Sequence, residues 1–349
     1  MSDVVLTQQL NTSDVSVAIL DVGHGSCVVV QTEVATILID TGANSSVLEY
    51  LEARDIQLID LVIISHADQD HVGGLSAMLS SGFPVRRVVW NTDGLKRTKL
   101  FQDLSYQLDD LADSGSIIAH EEVGKGLLVT NIGPRVKLEI LAPRLRLRRL
   151  GVGNRDRTGA AIKTNSVSAV VRVSVDDMPL MLVPGDLDAV GLRHMKNPEL
   201  PDMRAKYLVL PHHGGTMASS AAGTATALAE LVAAVQPELV LISNGRSTGM
   251  DNPRPEVLQA ALSAMPNVAV ACTQLSRSCS PSPVGRTGSS DGYAAGWQEG
   301  HSCLGSAIIS GPVGGPLFLD RTAHEAFLDE FVPGARCRLA SRELERPGG

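Results

Sequence analysis

Histidine and aspartate crowd one short stretch of this 349-residue chain, His66-Ala67-Asp68-Gln69-Asp70-His71, followed by Val72-Gly73-Gly74. An isolated acid stands later at Pro184-Gly185-Asp186, and a histidine pair at Pro211-His212-His213-Gly214. Each group follows an apolar run read as a strand, so three strand ends offer seven side chains able to hold divalent cations. In an extended segment His66 and Asp68 point the same way. Asp70 and His71 sit where the chain turns into a helix and can face a second point about 3.5 to 4 Å away, the separation of paired catalytic metals. The two oxygens of an aspartate such as Asp186 can bridge two cations, which a histidine cannot do, and Gly73 and Gly74 allow close backbone approach. The chemistry this set suits is hydrolysis by metal-activated water, with Asp70 orienting that water or accepting its proton.

The elements that must position these groups alternate regularly. Residues 15–22, 27–30 and 34–39 read as strands, with Gly23-His24-Gly25 between the first two and Asp40-Thr41-Gly42 after the third. A helix follows, starting at 44–46, with Val47, Leu48 and Leu51 as its apolar stripe. Strand 56–64 ends at Ser65, and Val72-Gly73-Gly74-Leu75 opens the next helix. Strand 85–90, a helix carrying Leu100, Leu104, Leu108 and Leu111, and strands 116–119, 126–129 and 136–141 come next. Strands 167–175 and 179–183, helix 187–195, strand 207–210, helix 219–235 and strand 239–242 lead to Ser243-Asn244-Gly245. Helix 253–264, capped by Asn252 with Pro253 in its first position, and strand 268–272 close the regular part. Residues 280–302, rich in Ser, Gly and Pro, read as a flexible loop, and strands 307–309 and 316–319 with helix 322–331 form a last small unit. The expected organisation is an N-terminal segment 1–14, a main domain 15–272, an extension 273–340 and a polar tail 341–349.

With 30 basic against 38 acidic residues the net charge is −8, and 44% apolar with 19% charged residues suits a sizeable core. Apolar runs fall far short of the roughly 20 residues that span a bilayer, and the first residues lack the pattern of a signal peptide, so a cytoplasmic protein without a membrane partner is expected. Aromatics at 3% argue against a base-stacking surface. The one concentrated basic segment, 143–157, carries Arg144, Arg146, Arg148, Arg149, Arg155 and Arg157. It reads first as a solvated loop, although arginine forks also hold phosphate oxygens. Cys27 heads an apolar strand and reads as a buried thiol. Cys272, Cys279, Cys303 and Cys337 fall together in the last quarter, consistent with a structural metal site, two disulfides or simply a core that tolerates cysteine; their spacing lacks the short Cys-x2-Cys pair.

The first motif resembles the H-x-H-x-D-H-x-G-G signature of the metallo-β-lactamase superfamily. Asp21-Val22-Gly23-His24-Gly25 and Leu38-Ile39-Asp40-Thr41-Gly42 look like the D-V-G-Q-G and L-I-D-T-G segments of its ComEC-type branch, the hydrolase domain of bacterial DNA-uptake proteins. Thr164-Asn165-Ser166-Val167, Val183-Pro184-Gly185-Asp186 and Leu210-Pro211-His212-His213-Gly214 resemble that branch's N-S, T-G-D and P-H-H-G segments in order. The resemblance implies an α/β fold, an αββα sandwich with the small cysteine-containing extension added at its C-terminus, and a two-metal hydrolase site on one sheet edge. It implies His66, Asp68, Asp70 and His71 as ligands, Asp186 as the bridging carboxylate, His212 or His213 as the last ligand, and Asp40 as the group that fixes a ligand histidine.

Two departures matter. Asp68 replaces the signature's second histidine, and between His71 and Asp186 the only histidine is His120. An oxygen-richer first site shifts preference from zinc toward manganese or magnesium, or leaves one position weakly filled. The expected activity is that of a metal-dependent phosphodiesterase or nuclease using one or two cations, with Asn165, Ser243, Asn244, Arg146 and Arg149 as candidate contacts to a nucleic acid or nucleotide. Lactone or ester hydrolysis and a non-catalytic, regulatory metal-binding protein are the alternatives, and a protein partner or homo-oligomer is left open.

Overall fold

Along β1 (Ser16–Ile19), β2 (Val28–Gln31) and β3 (Thr36–Ile39), Val17, Ile19, Val28, Val30, Ile37 and Ile39 join one apolar layer, while Ala18, Val29 and Leu38 join another. Successive side chains of a strand point to opposite faces, so strands apolar on both faces must be covered on both. The computed structural model describes residues 15–91, 96–120, 123–126, 128–129, 132–196, 199–246, 252–284 and 294–338. The expected segment 1–14, the tail 341–349 and the middle of the loop 280–302 therefore lie wholly or partly outside the described residues.

The chain continues through α1 (Ser46–Ala53), β4 (Leu61–Ile64), α2 (Gln69–Ser80), β5 (Arg87–Trp90), α3 (Lys99–Asp113) and β6 (Ile118–His120). Next come β7 (Leu128–Val129), β8 (Val136–Ala142), α4 (Leu145–Leu150), β9 (Val170–Val175), β10 (Met178–Val183), α5 (Ala189–Met195) and β11 (Tyr207–Val209). After α6 (Ala221–Val235), β12 (Leu239–Ile242), α7 (Pro255–Ala264) and β13 (Ala269–Cys272), the chain ends with α8 (Ala295–Gln298), β14 (Ala307–Ser310), β15 (Phe318–Leu319) and α9 (Thr322–Phe331). Among the described residues one sheet has the order β15-β14-β1-β2-β3-β4-β5-β6 and the other β13-β12-β11-β10-β9-β8-β7.

The two sheets pack face to face over one core that includes Val17, Ile37, Ile63, Leu138, Val171, Met181 and Leu241. Val47, Leu51, Val72, Leu75, Met78, Leu104 and Leu108 of α1, α2 and α3 cover the outer face of the first sheet. Leu192, Leu228, Leu231, Val257, Leu262, Phe327 and Leu328 of α5, α6, α7 and α9 cover the second. Each such side chain, fully buried, contributes about 1.5–3 kcal/mol of transfer free energy. The result is an αββα sandwich, the architecture expected.

Strand direction places the chemistry. The pairs β3–β4 and β10–β11–β12–β13 are parallel, so their carboxyl ends open on common edges. The edges of the two sheets are joined by Ala169 N donating to Ser65 O at 2.9 Å and Ser243 Oγ donating to Gly25 O at 2.7 Å. Helix α2 lies so close to the 41–43 loop that a Cβ on Gly73 or Gly74 would stand 2.0 or 2.1 Å from a carbonyl oxygen of Ala43 or Thr41, which is why only glycine fits there.

Five segments differ from the sequence reading. Helix α2 starts at Gln69, with Asp68 in the extended N-cap conformation, so Asp70 and His71 belong to its first turn. Helix α7 takes Arg254 as cap and Pro255, not Pro253, in its first position. Residues 145–150 of the basic segment form α4 instead of continuous loop, because Leu147 buries against Ile162 and Val167. The region 280–302 contains α8, held by Gly296 N donating to Asp21 Oδ2 at 3.0 Å. The segment carrying β14 and β15 does not stand apart either, since β14 pairs antiparallel with β1 and extends the first sheet.

Candidate active site

Four histidines converge at the shared sheet edge, and each has its Nδ1 tied to an oxygen. His71 Nδ1 is 2.7 Å from Asp40 Oδ2, His213 Nδ1 is 2.9 Å from Ser243 O, and His212 Nδ1 is 3.0 Å from Thr216 O. Ser65 Oγ donates to Asp40 Oδ2 at 2.8 Å and so accepts from His66 Nδ1 at 3.0 Å. With every Nδ1 tied to an outer oxygen, every Nε2 faces inward and is the atom each ring can offer to a cation. That is the arrangement of ligand histidines held by outer hydrogen-bond partners.

Asp186, on the loop after β10, stands between them. Its Oδ1 lies 3.1 Å from His71 Nε2 and 3.5 Å from His213 Nε2; its Oδ2 lies 3.7 Å from His66 Nε2 and 3.8 Å from His212 Nε2. The two oxygens thus divide the histidines into two pairs. Asp70 joins the first pair, its Oδ2 3.2 Å from His213 Nε2 and 4.0 Å from His71 Nε2. Asp68 joins the second, its Oδ2 3.7 Å from His66 Nε2. Donor atoms of Asp70, His71, Asp186 and His213 all lie within 4.8 Å of one another, a quartet able to hold a cation.

The electrostatics agree with cation binding. The Nε2 atoms of His66, His71 and His213 and Oδ1 of Asp186 are buried without a hydrogen-bond partner, a costly state that a shared cation relieves. Burial opposes charge on His71, yet Asp40 and Asp186 raise its pKa well above the ordinary value. Burial likewise opposes charge on His213, which Asp186 and Asp70 raise. On His66 burial prevails and pushes the imidazole down to about 4. Burial would raise the carboxyls, but His213 and His71 hold Asp70 low, and His71, His213 and His66 hold Asp186 well below the usual range.

Local backbone is bent to serve the site. Asp40, His212 and His213 have φ of 58°, 55° and 54°, in the left-handed region that non-glycine residues rarely adopt. The turn separates the histidine pair: His213 is 3% exposed and joins the buried quartet, whereas His212 is 36% exposed and faces the outer oxygen of Asp186.

Two residues of the site were not assigned to it by the sequence reading. His24 Nε2 lies 3.4 Å from Asp70 Oδ2, and its ring packs at 4.7 Å from that of His213. Burial and then His213 lower its pKa, against the pull of Asp70. Its place in a strand-end turn, where the resembling segment carries glutamine, was the available signal. Lys96 contacts Asp68 Oδ1 through Nζ, so the acid replacing the signature's second histidine is paired with an ammonium. No pattern marks Lys96 in the sequence.

Other expected contacts fall elsewhere. Ser243 and Asn244 are 2% and 0% exposed. The Ser243 hydroxyl is committed to Gly25 O, and the Asn244 amide donates to Asn252 O and Gln274 O at 3.1 Å, so both side chains brace the His213 loop. Asn165 lies in a one-turn 3₁₀ segment, Thr164–Val167, half-buried. Arg146 and Arg149 are exposed on α4, one turn apart, with no contact to the His/Asp cluster among the described residues. Arg144 is turned away to carbonyls Met195 O and Lys196 O at the end of α5. His120 ends β6. Cys272, Cys279, Cys303 and Cys337 lie together in the apolar layer beneath α9, and Cys27 is buried.

Residues 20–205, more than half of the chain, match the family model of the Metallo-beta-lactamase superfamily. ComE operon protein 3 of Bacillus subtilis (strain 168) is 25% identical over 271 residues, covering 71% of this chain and 30% of that protein. Competence protein ComA of Neisseria gonorrhoeae is 24% identical over 252 residues, covering 69% and 28%. The chain therefore spans less than a third of the length of these curated relatives. Among solved structures, Igni18, a metallo hydrolase from the hyperthermophilic archaeon Ignicoccus hospitalis, aligns with a TM-score of 0.42 at 18% identity over 73% of this chain and 94% of that one.

Proposed function

The chain belongs to the metallo-β-lactamase superfamily, and from that we propose that it is a metal-dependent phosphodiesterase acting on nucleic acid or a nucleotide. The observation that carries the reading is the division of Asp186's oxygens between His71 with His213 and His66 with His212, each Nε2 left facing inward. One position is formed by Asp70, His71, Asp186 and His213, and a looser one by His66, Asp68, Asp186 and His212. Four imidazoles suit zinc and three carboxylates suit manganese, with magnesium the third choice.

A divalent cation bound here would acidify water and neutralise charge on the bond being cut. Asp70, its side chain 22% exposed and its carboxyl ionised, is the quartet's acid open to solvent. It orients the attacking water by accepting a hydrogen bond from it. His24 and His213 on either side hold that carboxylate in place. Lys96, beside Asp68, brings a positive charge to the mouth of the site, where a phosphate oxygen arrives. A phosphodiester reading uses that ammonium; a neutral lactone has no need of it. The resemblance to the ComEC-type branch, and a relative named as a competence protein, support the same substrate class.

The test is turnover of bis(p-nitrophenyl) phosphate and DNA by metal-stripped protein reloaded with manganese, zinc or magnesium, beside a lactone and a β-lactam. Phosphodiester turnover is expected. Lactone turnover alone transfers the protein to ester chemistry, and no turnover of any substrate leaves a metal-binding protein.

A further inference from the structure

Four cysteines distant in sequence meet at one corner of the second sheet. Cys272 ends β13, the edge strand. Cys303 lies beside it on a returning segment, joined by Cys303 N to Thr273 O and Leu304 N to Cys272 O, both at 2.9 Å, and by the bridge Gln274–Ser302. Cys279 sits in the turn where Cys279 N donates to Ser276 O at 3.2 Å. Cys337 follows α9 and is brought to that turn by Arg336 Nε donating to Ser278 O at 3.2 Å. Every pair among the four thiols is close enough to interact electrostatically, and all four line the same apolar layer.

A fifth group faces them. His324 of α9 is 2% exposed, its Nε2 lies 3.3 Å from Cys303 Sγ, and its Nδ1 is buried without a partner. Four thiols and an imidazole gathered from four segments are more than an apolar core requires, and they have the chemistry of a soft tetrahedral cation site. The sulfurs are not drawn as close as the donors of the active-site quartet, so binding would close them onto the ion.

We propose that Cys272, Cys279, Cys303 and Cys337 form a structural zinc site separate from the active site, with His324 donating its Nε2–H to the Cys303 sulfur. Arg321 and Arg338, near enough to act on Cys337, offset the negative charge of four thiolates. The site would clamp α9 and the turn 276–280 onto the edge of β13. It lies at the end of a chain of contacts to the catalytic loop, because Asp21 accepts from Gln274 Nε2 at 2.8 Å and Gly296 N at 3.0 Å, and Asp21 N donates to Ser306 Oγ at 3.1 Å. The zinc thus holds in place the C-terminal segment that supports the turn bearing His24.

Cobalt reports sulfur ligation directly, since thiolate-to-cobalt charge transfer absorbs in the near ultraviolet and a His/Asp site gives none. Full-length protein, reduced and stripped of metal, is titrated with cobalt alone. The expected result is a saturable charge-transfer band that grows in as the cysteine site fills alongside the active site, is displaced by zinc, and is weakened or lost in Cys279→Ser and Cys337→Ser. Cobalt binding without that band, or an unchanged band in both variants, overturns the proposal. Should the variants not fold, thiol counting on the wild type decides. Five titratable thiols in denaturant, of which four are released by a zinc chelator under native conditions, support the site. Fewer than five thiols in denaturant, the sign of disulfides, or four that react freely in zinc-loaded native protein, contradict it.

Discussion

Asp40 Oδ2 and His71 Nδ1 meet at 2.7 Å with neither side chain exposed, and the same carboxylate accepts from Ser65 N at 2.7 Å and Ser65 Oγ at 2.8 Å. One buried acid therefore orients His71 directly and His66 through Ser65. Asp40→Asn keeps the shape but removes the charge and one acceptor. Manganese affinity, measured by competition with a chelating dye, is expected to fall roughly 10–100-fold. Affinity within twofold of wild type would show that Asp40 does not set the ligand geometry.

The histidine pair separates experimentally as it does spatially. His213→Ala removes a donor from the buried quartet and is expected to abolish the tighter metal equivalent in elemental analysis after dialysis. His212→Ala, at the exposed side of Asp186, is expected to keep that equivalent and lose only the weaker one. The reverse pattern would exchange the two assignments.

Lys96 competes with any cation for Asp68. Removing its charge in Lys96→Met takes away a repulsion of about 1 kcal/mol at water-like screening, so the weaker site should bind manganese several-fold more tightly in calorimetry. The same change should raise KM for a phosphodiester and leave that for a lactone unaltered. Equal effects on both substrates would remove Lys96 from phosphate binding.

Stability should fall in acid partly through Asp156, which joins the 154–162 turn to α5. Hydrogen bonds from Thr158, and after burial is overcome those from Arg193 and His194, hold its carboxyl far below the usual range. A depressed folded-state pKa contributes stability that is present above the unfolded value near 3.9 and lost as pH falls below it toward the folded value. Thermal melts of wild type between about pH 5 and pH 3 should therefore drop more steeply than those of Asp156→Asn. Parallel profiles would mean that the pair network contributes nothing at neutral pH.

The chemistry was more legible than its supports. His66, Asp68, Asp70, His71, Asp186, His212 and His213 advertise themselves because scarce residue types recur at strand ends, and continuous apolar runs mark the strands, whereas their sorting into two covered sheets came from the family resemblance. The choice between His212 and His213 was not legible, because it depends on two successive left-handed residues. Lys96 reaches Asp68 from a loop 28 residues away, and no periodicity encodes such a contact. Ser243 and Asn244 follow a strand as a ligand-binding pair would, but their burial is decided by Gly25 and Gln274 from distant segments. The pairing of β14 with β1 joins positions almost 300 residues apart, which local pattern cannot express.

The central claim is that Asp70, His71, Asp186 and His213 bind a metal that serves phosphodiester hydrolysis. Its most direct test compares wild type and Asp70→Ala, both stripped and reloaded with manganese, for hydrolysis of bis(p-nitrophenyl) phosphate. The account predicts turnover that appears only with metal and falls at least roughly a hundredfold in Asp70→Ala. Metal-independent turnover, or equal rates in the two proteins, would contradict it.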